Sequence, residues 1–233
     1  DGIPLALELA AARVAVLSVH DIAARLDDRF NLLTQGSRTA LPRQQTLRAL
    51  VDWSYDLLEA DERVLFSRLS IFVGKFNLAA AEAICADEHV PAARLLDVLA
   101  RLVAKSLLLV ETDGADGRFY FLETIRAYAR DRLRAAGEVD VMQQRHADWF
   151  AQSIAQAEKQ LRGANQLQWL TRLEIDHADL RAALKWTHEH TDADRLVQLA
   201  AHLARFLSIR GYWSEGQTWL TLALQRHTRA SLA

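Results

Sequence analysis

The sequence predicts a mainly α protein: a helical domain, then a winged helix of three helices and a β-hairpin, then a tetratricopeptide-like α-superhelix. Three observations carry this reading. Only three prolines and nine glycines punctuate 233 residues, so long helices with few breaks are expected. Apolar residues recur at helical spacing along most of the chain. One stretch, from Leu107 to Leu122, replaces that spacing with two short apolar runs around Asp/Gly turn chemistry. With 51% hydrophobic and 25% charged residues, the chain has the composition of a folded protein with enough length for two or three small cores.

The first domain is expected over residues 1–58. Pro4 suits a first helical turn, where its missing N–H would have no partner anyway, and the helix runs to about Val16. A second helix is expected from about Val19 to Leu26 and a third from about Arg43 to Leu58. In the third, Leu47, Leu50, Val51, Tyr55 and Leu58 form one apolar stripe.

The second domain is expected over 59–137. Helical patterns cover about Asp61–Phe72, Leu78–Ala86 and Pro91–Lys105. Strands follow at Leu107–Glu111 and Phe119–Leu122, joined by a turn from Thr112 to Arg118 that holds two Asp/Gly pairs. Three helices and a two-stranded wing make a winged helix. A further helix, about Glu123–Ala136, closes the unit, and Gly137 is its stop signal.

The third domain, 138–233, is all helix: about Val139–Gln160, Gln166–His190, Ala193–Arg210 and Ser214–Arg226, with breaks at Gly163 and Gly211. Ala204, Leu207, Gly216, Leu220 and Ala223 fit the small and large positions of a tetratricopeptide repeat. One such repeat cannot bury its own face, so a longer superhelix is expected.

Charge and cysteine content narrow the chemistry. A formal net charge of −2 gives no global footprint for nucleic acid or anionic membrane. Cys85 is the single cysteine, which excludes an internal disulfide and a Cys-cluster zinc site and fits a reducing cytoplasm. No apolar run is long enough to span a bilayer, so no membrane partner and a cytoplasmic location are expected.

Local groups suggest four sites. Arg94, Arg101 and Lys105 share a helix face, with Arg118 on the wing, as a winged helix reading DNA would require. Asp97, Asp113 and Asp116 work against that reading, and packing is favoured over DNA contact. His188 and His190 stand two apart, which on a helix points them to different sides, so solvated helix-end histidines are expected and no metal. Tyr212 and Trp213 lie at a turn between helices, where a partner-binding surface competes with simple core packing. Gly211 to Thr218 has the glycine spacing of a phosphate loop but Gln217 in place of lysine, and reads as a helix-to-helix turn. No nucleophile–base pairing is evident, so no enzyme activity is expected of this chain.

Several segments in order carry a family resemblance: Gly2-Ile3-Pro4-Leu5-Ala6-Leu7, Arg43 through Leu58, Leu102-Val103-Ala104-Lys105-Ser106-Leu107, Phe121-Leu122-Glu123-Thr124-Ile125-Arg126-Ala127-Tyr128-Ala129, and Asp179-Leu180-Arg181-Ala182-Ala183-Leu184. The chain resembles the STAND-class (NB-ARC-like) signal-transduction ATPases, among them LuxR- and AfsR-like bacterial transcriptional regulators. The resemblance implies the part that follows the P-loop domain of a longer protein. ATP or ADP with Mg would then belong to that P-loop domain, with no cofactor in this chain alone. It implies that Gly2 and Pro4 approach the adenine and that Glu123 stands at a phosphate-sensing position, Leu122-Glu123-Thr124 replacing a Met-His-Asp triplet. An ionised carboxylate cannot donate to phosphate, so Glu123 or Thr124 is expected to cap the next helix. The implied partners are the P-loop domain and a protein or small-molecule inducer at the repeats. The implied function is gating of a nucleotide switch; the alternative is a DNA-binding winged helix.

Overall fold

A computed structural model describes residues 51, 52, 54–112, 117–190 and 193–231, with side chains described as far as residue 228. Gly2, Pro4, the helices expected over 4–16 and 19–26, most of that over 43–58, and wing residues Asp113 and Asp116 lie outside the described residues. The described chain is mainly helical with one two-stranded antiparallel sheet.

Residues 51, 52 and 54–56 are helical, and Val51 and Leu58 are buried. Helix α1 (Ala60–Leu69) starts where the Glu59 N–H donates to the Glu62 carboxylate at 2.8 Å, satisfying one of the donors every helix leaves free at its start. It ends three residues before the apolar pattern does. The N–H groups of Ser70, Ile71 and Phe72 turn to carbonyls three residues back, tightening the last turn. Helix α2 (Leu78–Cys85) is capped by Asn77, whose side chain accepts from the Ala80 N–H at 2.9 Å. In the turn to α3 (Ala92–Ala104), Asp87 accepts from the N–H groups of His89 and Val90.

Helix α3 closes with Ser106 at φ 57, its N–H donating to Val103 O and that of Leu107 to Leu102 O. This is the ending that glycine favours. Gly137 (φ 72) and Gly211 (φ 82) close two later helices with the same pair of bonds. Because the Leu107 N–H is spent on α3, strand β1 is only Leu109–Glu111. It pairs with β2 (Arg118–Tyr120) in the register Leu109 to Tyr120, Val110 to Phe119 and Glu111 to Arg118. Phe76 joins the sheet edge through two backbone bonds to Phe119.

Helix α4 (Glu123–Ala135) packs on α1 and on the residues before it: Tyr128 OH donates to Asp52 at 2.6 Å, and Arg132 pairs with the same carboxylate at 2.8 Å. The helical array follows as α5 (Val139–Gln160), α6 (Gln166–Ile175), α7 (His177–His190), α8 (Ala193–Arg210) and α9 (Trp213–Ser231). The single helix expected over 166–190 is two. Asp176 ends α6, and its carbonyl accepts from the Leu180 N–H in the first turn of α7. Helices α8 and α9 form a tight hairpin in which a Cβ at Gly216 would lie 3.6 Å from the Leu207 side chain. One buried core runs from Val51 to Ala223 through both the winged helix and the array.

Candidate functional site

The second helix of a helix-turn-helix is the one that enters a DNA groove, so α3 is where the candidate DNA contacts meet the structure. Leu95, Val98, Leu99 and Leu102 bury one side of it. Ala93, Arg94, Leu96, Asp97 and Ala100 are exposed on the other. The expected cations do cluster there, yet each is matched by a carboxylate from the first turn of α1. Arg101 lies 2.7 Å from Asp61 and 2.9 Å from Glu62, Lys105 lies 2.5 Å from Glu62, and Arg94 lies 3.3 Å from Asp61. The Glu62 side chain is fully buried. Burial opposes its ionisation, but hydrogen bonds from Lys105, the Glu59 N–H and Arg101 outweigh it and hold its carboxyl below the usual range.

Arg118, expected on the wing as a DNA contact, is turned inward. Its guanidinium meets Asp176 at 2.7 Å, both side chains being 9% exposed. Burial pushes the Asp176 carboxyl up, and Arg118 only partly offsets this. The wing is thus tied to the α6–α7 junction.

The array also reaches α2, at both ends. Arg145 of α5 donates to the carbonyls of Ile84 and Ala86, at 3.3 and 3.1 Å, where α2 finishes. At the other end, Asp179 of α7 accepts from the N–H groups of Val73 and Gly74 at 2.7 and 3.0 Å, in the loop that leads into α2. His146, next to Arg145, places its Nε2 2.8 Å from the same carboxylate and packs between Phe72 and Phe150. Asp179 has no exposed surface and His146 is 3% exposed. Sequence reading missed this group, although His146 sits in the apolar stripe of Met142, Phe150 and Ile154, where a histidine needs a buried partner.

Arg68 adds a third polar anchor. From the buried side of α1 it reaches Glu138 through two 2.8 Å bonds, Asp87 at 2.7 Å and the Cys85 carbonyl at 3.0 Å. Hydrogen bonds from Arg68 hold the Asp87 and Glu138 carboxyls below their ordinary range.

The remaining candidates separate. Glu123 opens α4 but does not cap it: the cap position is Leu122, which makes no side-chain capping bond, and Glu123 pairs with Arg126 at 3.0 Å. Its charge still favours the helix start. Tyr212 turns in, its OH donating to Glu174 and its ring packing on His177 and Phe206, whereas Trp213 is 68% exposed. Gly211 to Thr218 is the turn and first part of α9. His190 is exposed and stacks on Trp186, and no cluster of metal-ligating side chains occurs among the described residues. A groove of about 230 Å³ between α5 and α8 has its charges paired internally, Arg195 with Asp148 and His202 with Glu158. No helix among the described residues is long and apolar enough to cross a membrane.

Residues 58–134 match the winged helix-turn-helix domain family, so α1 to α4 with the hairpin form a winged helix-turn-helix domain. The chain is 41% identical over 225 residues, 97% of its length, to a Mycobacterium tuberculosis protein named "putative HTH-type transcriptional regulator" and to its Mycobacterium bovis counterpart. An uncharacterized M. tuberculosis protein is 41% identical over 147 residues, 63% of this chain and 37% of its own length. The chain spans 25% of the length of the first two relatives. No solved structure matches it.

Proposed function

We propose that this chain is the regulatory part of a transcription regulator, in which the winged helix is a docking and gating module and the helical array is its sensor. The observation that carries this is the charge pairing of α3: Arg101 and Lys105 are held by Asp61 and Glu62, Arg94 stands 3.3 Å from Asp61, and Arg118 is committed to Asp176. Binding to DNA through these residues requires exchanging each carboxylate for a phosphate while two negative side chains remain beside the duplex, which removes most of the gain from counterion release.

The finer reading follows the STAND resemblance. A P-loop domain would bind ATP or ADP with Mg, approached by Gly2 and Pro4, and the nucleotide state would select between closed and open arrangements of the winged helix. The chain itself would carry out no chemistry, and the array would take a protein or small-molecule inducer on a tetratricopeptide-like surface.

A second reading has its own support: the winged helix reads DNA directly. Its helix-turn-helix family and the name carried by its mycobacterial relatives favour it, and so does the solvent exposure of the outer face of α3. Kinship favours this reading and charge pairing the first.

Fluorescence anisotropy with duplex DNA at low and physiological salt separates them, using the unsubstituted chain and an Arg94→Ala/Arg101→Ala/Lys105→Ala variant. The docking reading expects weak binding unaffected by the triple substitution. Tight binding that is lost in the variant, with a log–log salt slope reduced by about 3 for three lost phosphate contacts, establishes the DNA reading instead.

A further inference from the structure

We infer that Arg145, His146 and Asp179 form a lock that holds α2 of the winged helix at both ends, so that any displacement of α5 or α7 within the array is delivered to the helix-turn-helix. The inference stands whether α3 meets DNA or another domain. Three features support it. The contacts fall at the two ends of one short helix: carbonyls at its C-terminal end meet Arg145, and N–H groups in the loop before it meet Asp179. Arg145 and His146 are consecutive on α5, so a single shift or rotation of that helix acts on both ends at once. The contacts are also directional, and the His146–Asp179 pair at their centre is buried. A carboxylate that accepts two backbone N–H groups and a histidine in a dry site has few acceptable displaced positions, so the joint passes on displacement where a greasy contact would slide.

Two neighbours reinforce the geometry. A Cβ at Gly74 would lie 3.2 Å from the Asp179 carboxylate, so glycine there permits the close approach. Arg118 and Asp176 fix the wing to the residue just before α7, tying a second part of the winged helix to the same array element. The helix-turn-helix and the array are thereby joined through the segment from Asp176 to Asp179, part of which lies in the sequence that resembled the family.

Native-state hydrogen exchange on the chain, read residue by residue in low urea, tests this. With the lock intact, amides of residues 73–85 and of α5 should open as one unit with a common free energy. In Asp179→Ala, amides 73 and 74 should lose protection by at least about tenfold, the equivalent of one charge-assisted hydrogen bond, while the core of α5 keeps its own. Arg145→Gln should deprotect the C-terminal end of α2 in the same way, and it carries the test if Asp179→Ala does not fold. Independent opening of α2 and α5 in the unsubstituted chain overturns the proposal. So does unchanged protection of 73–85 in both variants.

Discussion

Helices α2 and α3 are the two halves of one helix-turn-helix, yet the molecule uses them differently. Helix α2 is held from outside its own domain: Arg145 and Asp179 grip its ends, and Arg68 reaches the Cys85 carbonyl behind it. Helix α3 leaves one side in solvent, and its charges are answered by α1 of the same domain. The polar contacts of α2 centre on side chains with almost no exposed surface, Asp179, His146 and Arg68, where an unmet group is costly. Those of α3 end in cations that are one-third exposed or more, and three cations share two carboxylates, so the loss of one leaves the others paired. Fixed placement therefore belongs to α2, and α3 is what gets placed.

The largest break in this comparison should come from Arg68→Ala. It leaves Asp87 and Glu138 without their buried cation and should cost about 3–5 kcal/mol in urea unfolding; a loss under 1 kcal/mol would mean that the anchor is replaceable. The same carboxylates set the response to acid. Their folded pKa values lie below the unfolded ones, so their stabilisation is present above the ordinary carboxylate range and lost as pH falls through the folded values. Asp176, pushed up by burial, acts with the opposite sign, its contribution fading as pH rises. Thermal melts should accordingly drop below about pH 4, and the drop should be smaller in Arg68→Ala, where Glu62 still contributes its own share.

Cys85 offers a chemical reading of the enclosed side. It is fully buried at the end of α2, and desolvation pushes its thiol up to about 12. Labelling by a thiol reagent at pH 8 should follow unfolding and be accelerated by Asp179→Ala; immediate labelling of the folded chain would show that α2 opens freely. On the α3 side effects should be small. Arg101→Ala should change stability by about 1 kcal/mol or less, because Arg101 is one-third exposed and Lys105 still answers the buried Glu62. Ser106→Gly should raise stability by roughly 0.5–1 kcal/mol by relieving a left-handed backbone at the end of α3, measured by urea midpoint.

The elements were legible where one local rule decided them. The Asp/Gly turn announced the hairpin, and Gly137 the end of α4. Periodicity placed α2, α3, α5 and α8 within about two residues. The break at Asp176 was not legible, because the apolar pattern continues through it and its carboxylate is held by Arg118, 58 residues away in sequence. The candidate site was partly legible for the same reason. Arg94, Arg101 and Lys105 could be seen to share a face, but Asp61 and Glu62 lie 33 to 43 residues away in sequence, and only the fold puts them opposite. Composition along one helix shows which charges are present, not which are already answered.

The difference between α2 and α3 is most directly tested by a distance between winged helix and array. Nitroxide labels on Leu96→Cys of α3 and Leu167→Cys of α6 sit at exposed positions, 52% and 73%, while buried Cys85 stays unlabelled. A narrow distance distribution by pulsed electron resonance, broadened by Asp179→Ala, is the expected result. A distribution already broad in the otherwise unsubstituted chain would contradict the account, since α3 would then not be held by the array.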